Sequence, residues 1–210
     1  AAGMVNVETF DGTNWSETND VNTLVTQAGG AGTQGSAIKF GGETTASSPQ
    51  SNNTRTELWN GSSWTEVNDM NLGRTQPSGA GLSTDALAAS GYAGGSSART
   101  NDAETWDGTS WTEISNINTT REGANGAGHN TTDAIIFGGR ATPTYYGQTE
   151  AWNGSTWTEV ADMATARYNG SGMGSPSSGL IAGGSTSGTT GSVTTEEFTA
   201  TAAVATVTTS

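Results

Sequence analysis

Four tryptophans, Trp15, Trp64, Trp111 and Trp157, recur at spacings of 49, 47 and 46 residues. A period of this length means that one supersecondary unit is repeated, and that each unit buries its apolar face only against its neighbours. Five residues before each Trp stands another aromatic: Phe10, Trp59, Trp106 and Trp152. Between them lie Asp11-Gly12, Asn60-Gly61, Asp107-Gly108 and Asn153-Gly154. Such dipeptides suit the positive φ angles of a two-residue type I′ turn, the strongest short-range hairpin signal. That turn predicts Trp59 opposite Ser62, Glu57 opposite Trp64 and Arg55 opposite Glu66, all on one face.

Each hairpin therefore presents an aromatic and acidic face, because Glu8, Glu104 and Glu150 precede the first aromatic and Glu17, Glu113 and Glu159 follow the Trp. A repeated ligand surface would use these groups. The preferred reading packs Trp between units and pairs Glu with a nearby Arg or backbone amide.

Two more strands complete each unit. One is built of small residues: Gly30-Ala31-Gly32, Gly79-Ala80-Gly81, Gly126-Ala127-Gly128 and Gly172-Met173-Gly174. Glycine inside a strand marks close approach by another backbone, as at a crowded axis. The next strand is apolar and ends in Gly-Gly at 41–42, 138–139 and 183–184, with Ser90-Gly91 at the matching place in the second unit. The polar clusters at 43–53, 93–100, 140–147 and 184–192 read as loops between the middle strands. No stretch has helical periodicity.

Composition fits many small cores. Only 31% of the chain is hydrophobic, and 31 of its 210 residues are Gly. Its seven Trp nonetheless supply large apolar areas for burial. The net charge of −13 argues against nucleic acid, since phosphate binding needs clustered Lys and Arg. No run approaches the roughly 18 apolar residues of a membrane helix, so no membrane insertion is expected. Without Cys there are no disulfides, thiolate metal sites or Cys nucleophiles.

The pattern resembles the kelch repeat, in which a Gly-Gly strand is followed by an aromatic with Asp, then Trp, spaced apolar residues and Arg. Trp106-Asp107, Trp111, Ile114, Ile117 and Arg121 match it. So do Trp59-Asn60, Trp64, Val67, Met70 and Arg74, and Trp152-Asn153, Trp157, Val160, Met163 and Arg167. The first unit is weaker, with Val25 where Arg belongs. The resemblance implies an all-β propeller of four-stranded blades around an axis, the Trp strand outermost. The wording Trp-Asn-Gly-Ser-Ser-Trp-Thr-Glu-Val-Asn-Asp-Met-Asn is also similar to repeats in structural proteins of marine tailed phages, cyanophages especially, as is Glu196-Glu197-Phe198 with the Thr-rich end 206–210. That likeness implies a virion or other extracellular surface component.

Residues 1–199 are expected to form the propeller and 200–210 a C-terminal extension or linker. The simplest closure has four blades, with the last strands near 170–174 and 179–183 pairing with the first hairpin at 5–20. This seals the ring and removes free edges. Thr194–Phe198 is then surplus. It would add an outer edge, cross to a neighbouring subunit, or begin a fifth blade, which 200–210 is poorly equipped to complete.

Catalytic sets are hard to assemble. His129 is the only His, so a His-based triad has one candidate member, and a polar residue lining the axis is the preferred reading. Repeating carboxylates point to a scaffold rather than a catalytic pair. Asp20, Asp69 and Asp162 read as turn caps rather than Ca²⁺ ligands. No metal or other cofactor is expected. Arg74, Arg121 and Arg167 read as ion-pair partners of the repeated Glu. Tyr92, Arg99, Tyr145, Tyr146 and Tyr168 break the repeat near variable loops, where exposed aromatics often carry binding, and they are the candidate ligand site. The expected function is a non-enzymatic structural or adhesive module, such as a tail fibre, whisker or capsid decoration, mediating assembly or host attachment. Its expected partners are other virion or surface proteins, a second copy of the chain, or a surface glycan or receptor. The alternative is an extracellular, lectin-like carbohydrate-binding propeller of a bacterium or alga.

Overall fold

The computed structural model describes residues 5–44, 51–93, 98–188 and 190–200. Every regular element among them is a β-strand, and the antiparallel sheets form a four-bladed β-propeller. Blade one comprises Gly29–Thr33, Ser36–Phe40, Thr56–Trp59 and Trp64–Val67. Blade two comprises Ser78–Leu82, Asp85–Ala89, Ala103–Trp106 and Trp111–Ile114. Blade three comprises Asn125–Asn130, Asp133–Phe137, Thr149–Trp152 and Trp157–Val160. Blade four has three strands, Ser171–Ser175, Ser178–Ala182 and Thr195–Thr199.

The small-residue strands are innermost, and those of blades one to four pack on one another in succession, first on second, second on third and third on fourth. A Cβ on Gly79 would lie 2.2 Å from the Gly30 carbonyl oxygen, and one on Gly126 would lie 2.3 Å from that of Gly79. No side chain fits between these backbones, which explains why small residues recur here. The apolar cores lie between blades. Ile38, Phe40 and Met70 meet Trp106 and Trp111. Leu87 and Ile117 meet Ile136, Trp152 and Trp157. Ile135 and Phe137 meet Ile181, with Phe198 packed against them.

The hairpin register differs from the expected one by two residues. Trp59 pairs with Trp64 and Glu57 with Glu66, and the other hairpins follow suit. The cause is side-chain chemistry. Asn60 Oδ1 accepts the backbone N–H groups of Ser62 and Ser63, and Asp107 does the same for Thr109 and Ser110. The Asp or Asn thus opens a four-residue connection instead of sitting inside a two-residue turn. A shift of two keeps every side chain on its face, so the aromatics stack as pairs, with ring centroids 5.1–5.6 Å apart.

The expected closure is also corrected. The hairpin Val7–Phe10 and Trp15–Thr18 is a separate two-stranded sheet, and Thr195–Thr199 takes the third place in blade four by pairing with Ser178–Ala182. Thr195-Glu196-Glu197-Phe198 carries the third-strand pattern of Thr149-Glu150-Ala151-Trp152. Glu196 meets Arg167, and Phe198 packs within its own ring. This strand is therefore neither surplus nor a bridge to a neighbouring subunit. The expected extension lies outside the described residues apart from Ala200, as do parts of the loops at 43–53, 93–100 and 184–192.

Candidate functional site

Most charged residues of the repeat are spent on the fold. Arg74 pairs with Glu104, Arg121 with Glu150 and Arg167 with Glu196. Each Arg also donates to two backbone carbonyls near the middle-strand loop: Arg121 to Gly138 and Gln148 at 3.0 and 2.9 Å, and Arg167 to Gly183 and Thr194 at 3.1 and 2.7 Å. Each Glu in turn accepts two backbone N–H groups of the incoming linker, as Glu150 does from Asn118 and Thr119. One Arg–Glu clasp thereby ties linker, loop and third strand together. Burial pushes the Arg74 and Arg121 guanidiniums down, while Glu104 and Glu150 push back. In blade one, where Val25 replaces Arg, Lys39 reaches Glu57 at 2.9 Å instead.

The repeated aromatics are structural too. Trp59, Trp106, Trp111, Trp152 and Trp157 are buried. Phe10 and Trp15, in the lone hairpin, are 42% and 67% exposed. A cavity of about 190 Å³ lies beside blade four, lined by Phe137, Thr149, Met163 and Phe198 among others. The equivalent place between blades one and two holds Trp111, whose Nε1 donates to Thr56 and whose ring meets Phe40 edge-on. That cavity occupies the matching place beside blade four, whose sheet has three strands.

The face at one end of the axis is different. Gln27, Gln76, Gly123 and Asn169 hold matching places, with φ between 52° and 59°. Gln76 N donates to Gln27 O, Gly123 N to Gln76 O and Asn169 N to Gly123 O, at 2.9, 3.3 and 2.8 Å. They surround the mouth of an axial cavity of about 370 Å³. Around this mouth one backbone bridge recurs four times: Thr26 with Glu43, Thr75 with Tyr92, Glu122 with Arg140 and Tyr168 with Ser185. The backbone repeats while the side chains do not. One frame thus carries four different chemistries around one mouth.

Four of the five expected site residues gather on this face. Thr75, Gln76, Tyr92, Arg99, Glu122 and Arg140 line a polar cavity of about 290 Å³. Arg99 and Arg140 both reach Glu122 Oε1, at 3.1 and 2.9 Å. Burial lowers the pKa of Arg140, but its bonds to Glu122 and Tyr145 and the charges of Tyr168 and Glu122 together outweigh it, and the guanidinium ends above its usual range. Its carbon lies 3.8 Å from the centre of the Tyr168 ring, which meets Tyr145 edge-on at 5.6 Å. Tyr145 and Tyr168 therefore support Arg140 rather than offering free ring faces. Tyr146 stands apart, with its backbone bonded to Gly139 and Arg167. His129 is exposed at an irregularity near the far end of its inner strand, not at this mouth.

Arg140 and Glu122 escape a search for unusual residues. The signal that finds them is alignment of the units. The residue after each glycine pair, or after Ser90-Gly91 in the second unit, is Glu43, Tyr92, Arg140 or Ser185, and the residue after each clasp position is Thr26, Thr75, Glu122 or Tyr168. Among the described residues, no group of three or more His, Cys, Asp or Glu is placed to hold a metal ion. The fold and this face together define a class: a small propeller with a uniform frame and one asymmetric axial surface. Comparison with models of known protein families finds no match, and comparison with curated protein sequences finds none either.

Proposed function

We infer that the chain is a non-enzymatic structural or adhesive module of a tailed-phage virion surface, which binds its partner through the axial face. The observation that carries this reading is the division of roles within the repeat. Arg74, Arg121 and Arg167, their Glu partners and the buried Trp residues are consumed in clasps and blade cores, while the bridge positions on the axial face vary from blade to blade. A variable surface on a rigid, repeated frame is how binding proteins gain specificity without rebuilding a fold. The virion assignment draws on the likeness of the repeat wording to marine phage structural proteins. Mass spectrometry of purified particles from the source tests it, with the chain expected at a fixed ratio to other virion proteins.

The polar cavity with its two arginines favours one second reading, an extracellular lectin-like propeller of a bacterium or alga. Absence from particles, combined with sugar binding by the free chain, would replace the first reading with the second.

A further inference from the structure

The ion pairs of the described residues are distributed unevenly. Arg74, Arg121 and Arg167 each have their own buried or largely buried glutamate, Lys39 has Glu57, and Arg55 lies 3.9 Å from Glu66. Only Arg99 and Arg140 share a carboxylate, that of Glu122. Two guanidiniums against one carboxylate leave one positive charge in excess, although the chain as a whole carries −13. That excess calls for an acceptor of single negative charge from outside the chain.

We propose that the cavity between Thr75, Tyr92, Arg99, Glu122 and Arg140 binds the carboxylate of an acidic sugar of the uronic-acid class. The guanidinium fork matches a planar carboxylate, and one excess charge matches a monoanion. The lining is mainly polar, with the ring of Tyr92 among it, which suits a hydroxylated sugar ring. At about 290 Å³ the cavity sits at the small end of ligand sites, room for about one sugar unit. Tyr168 and Tyr145 hold Arg140 in place beforehand, which lowers the ordering cost of binding. The proposal rests on the axial face being the binding surface, but not on the virion assignment.

The test is calorimetric titration of the whole chain with trigalacturonic acid, its carboxyl-reduced counterpart and a sulfated neutral oligosaccharide. The acid is expected to bind about tenfold or more tightly than either of the others, equal to the loss of one charge-assisted contact. Its affinity is expected to fall as salt rises. Arg99→Gln and Arg140→Gln are each expected to weaken it about tenfold, with the tryptophan near-ultraviolet signal reporting that the blades remain packed. The comparison among sugars decides the question on the unaltered chain, even if a variant fails to fold. Equal binding of the reduced sugar, preference for the sulfated one, or no binding of any overturns the proposal. Particle mass spectrometry reads the virion assignment separately.

Discussion

Arg121 shows how one residue can hold a blade. It reaches the end of the second strand, the start of the third, and the glutamate that caps the incoming linker. Breaking such a pair leaves an uncompensated buried charge. Glu104→Gln, which strands the fully buried Arg74, is expected to cost about 3–5 kcal/mol, read from the shift of the urea midpoint at constant slope. Acid acts on the same clasps. Burial alone pushes the Glu57 and Glu196 carboxyls up. Lys39 and the Asn22 and Thr23 amides, or Arg167 and the Ala164 and Thr165 groups, more than offset that, so both lie below the ordinary value of 4.5. A carboxyl depressed in the folded state stabilises the fold fully above its unfolded pKa and loses that contribution as pH falls through the folded one. Urea midpoints are therefore expected to hold above pH 4.5 and to decline below it, less steeply in Glu196→Gln. Backbone geometry sets a further limit. Gly138 has φ +69°, and a Cβ there would lie 2.7 Å from the Arg167 carbonyl oxygen. Ser90 occupies the matching conformation at φ 62°, buried and 3.1 Å from the Ser78 hydroxyl. Gly138→Ala has no such compensation.

At the scale of strands and hairpins, the aromatic pairs were legible and their register was not. The spacing of Trp59 and Trp64 announces a hairpin, but Asn-Gly is compatible with more than one connection, and the choice falls to whether the Asn side chain captures the amides ahead of it. The third strand of blade four was visible as Thr195-Glu196-Glu197-Phe198. Sequence makes it look surplus because Val7-Glu8-Thr9-Phe10 carries the same pattern, and pattern alone does not rank two strands for one place. The unequal environments of the outer Trp residues give a direct comparison. Trp111→Ala opens the core between blades one and two and is expected to cost about 3–5 kcal/mol, whereas Trp15→Ala, 67% exposed, is expected to cost much less; parallel urea melts check both. The buried Nε1–H of Trp64 lacks a partner, while that of Trp111 has Thr56. The position in the lone hairpin that matches Thr56 is Val7. Val7→Thr is expected to supply the missing hydroxyl and raise stability by about 1 kcal/mol in the same assay.

Across the whole molecule, sequence repetition and structural role divide cleanly. The clasp, core and axis residues repeat and form the frame, while the bridge positions that differ from blade to blade meet at one mouth. Tyr92, Arg99, Tyr145 and Tyr168 were legible as departures from the pattern. Their meeting was not, because Arg99 and Arg140 are brought together only when neighbouring blades align their loops around the axis. Glu122, which joins them, follows a clasp arginine and looks like one more acidic residue until the units are aligned. Amide hydrogen exchange of the chain, free and bound to the host-cell or particle surface that retains it, tests this division most directly. New protection is expected around 75–76, 92, 99, 122 and 140, with the outer strands Trp64–Val67, Trp111–Ile114 and Trp157–Val160 unchanged. Protection confined to those outer strands, with the axial mouth unaffected, would contradict the account.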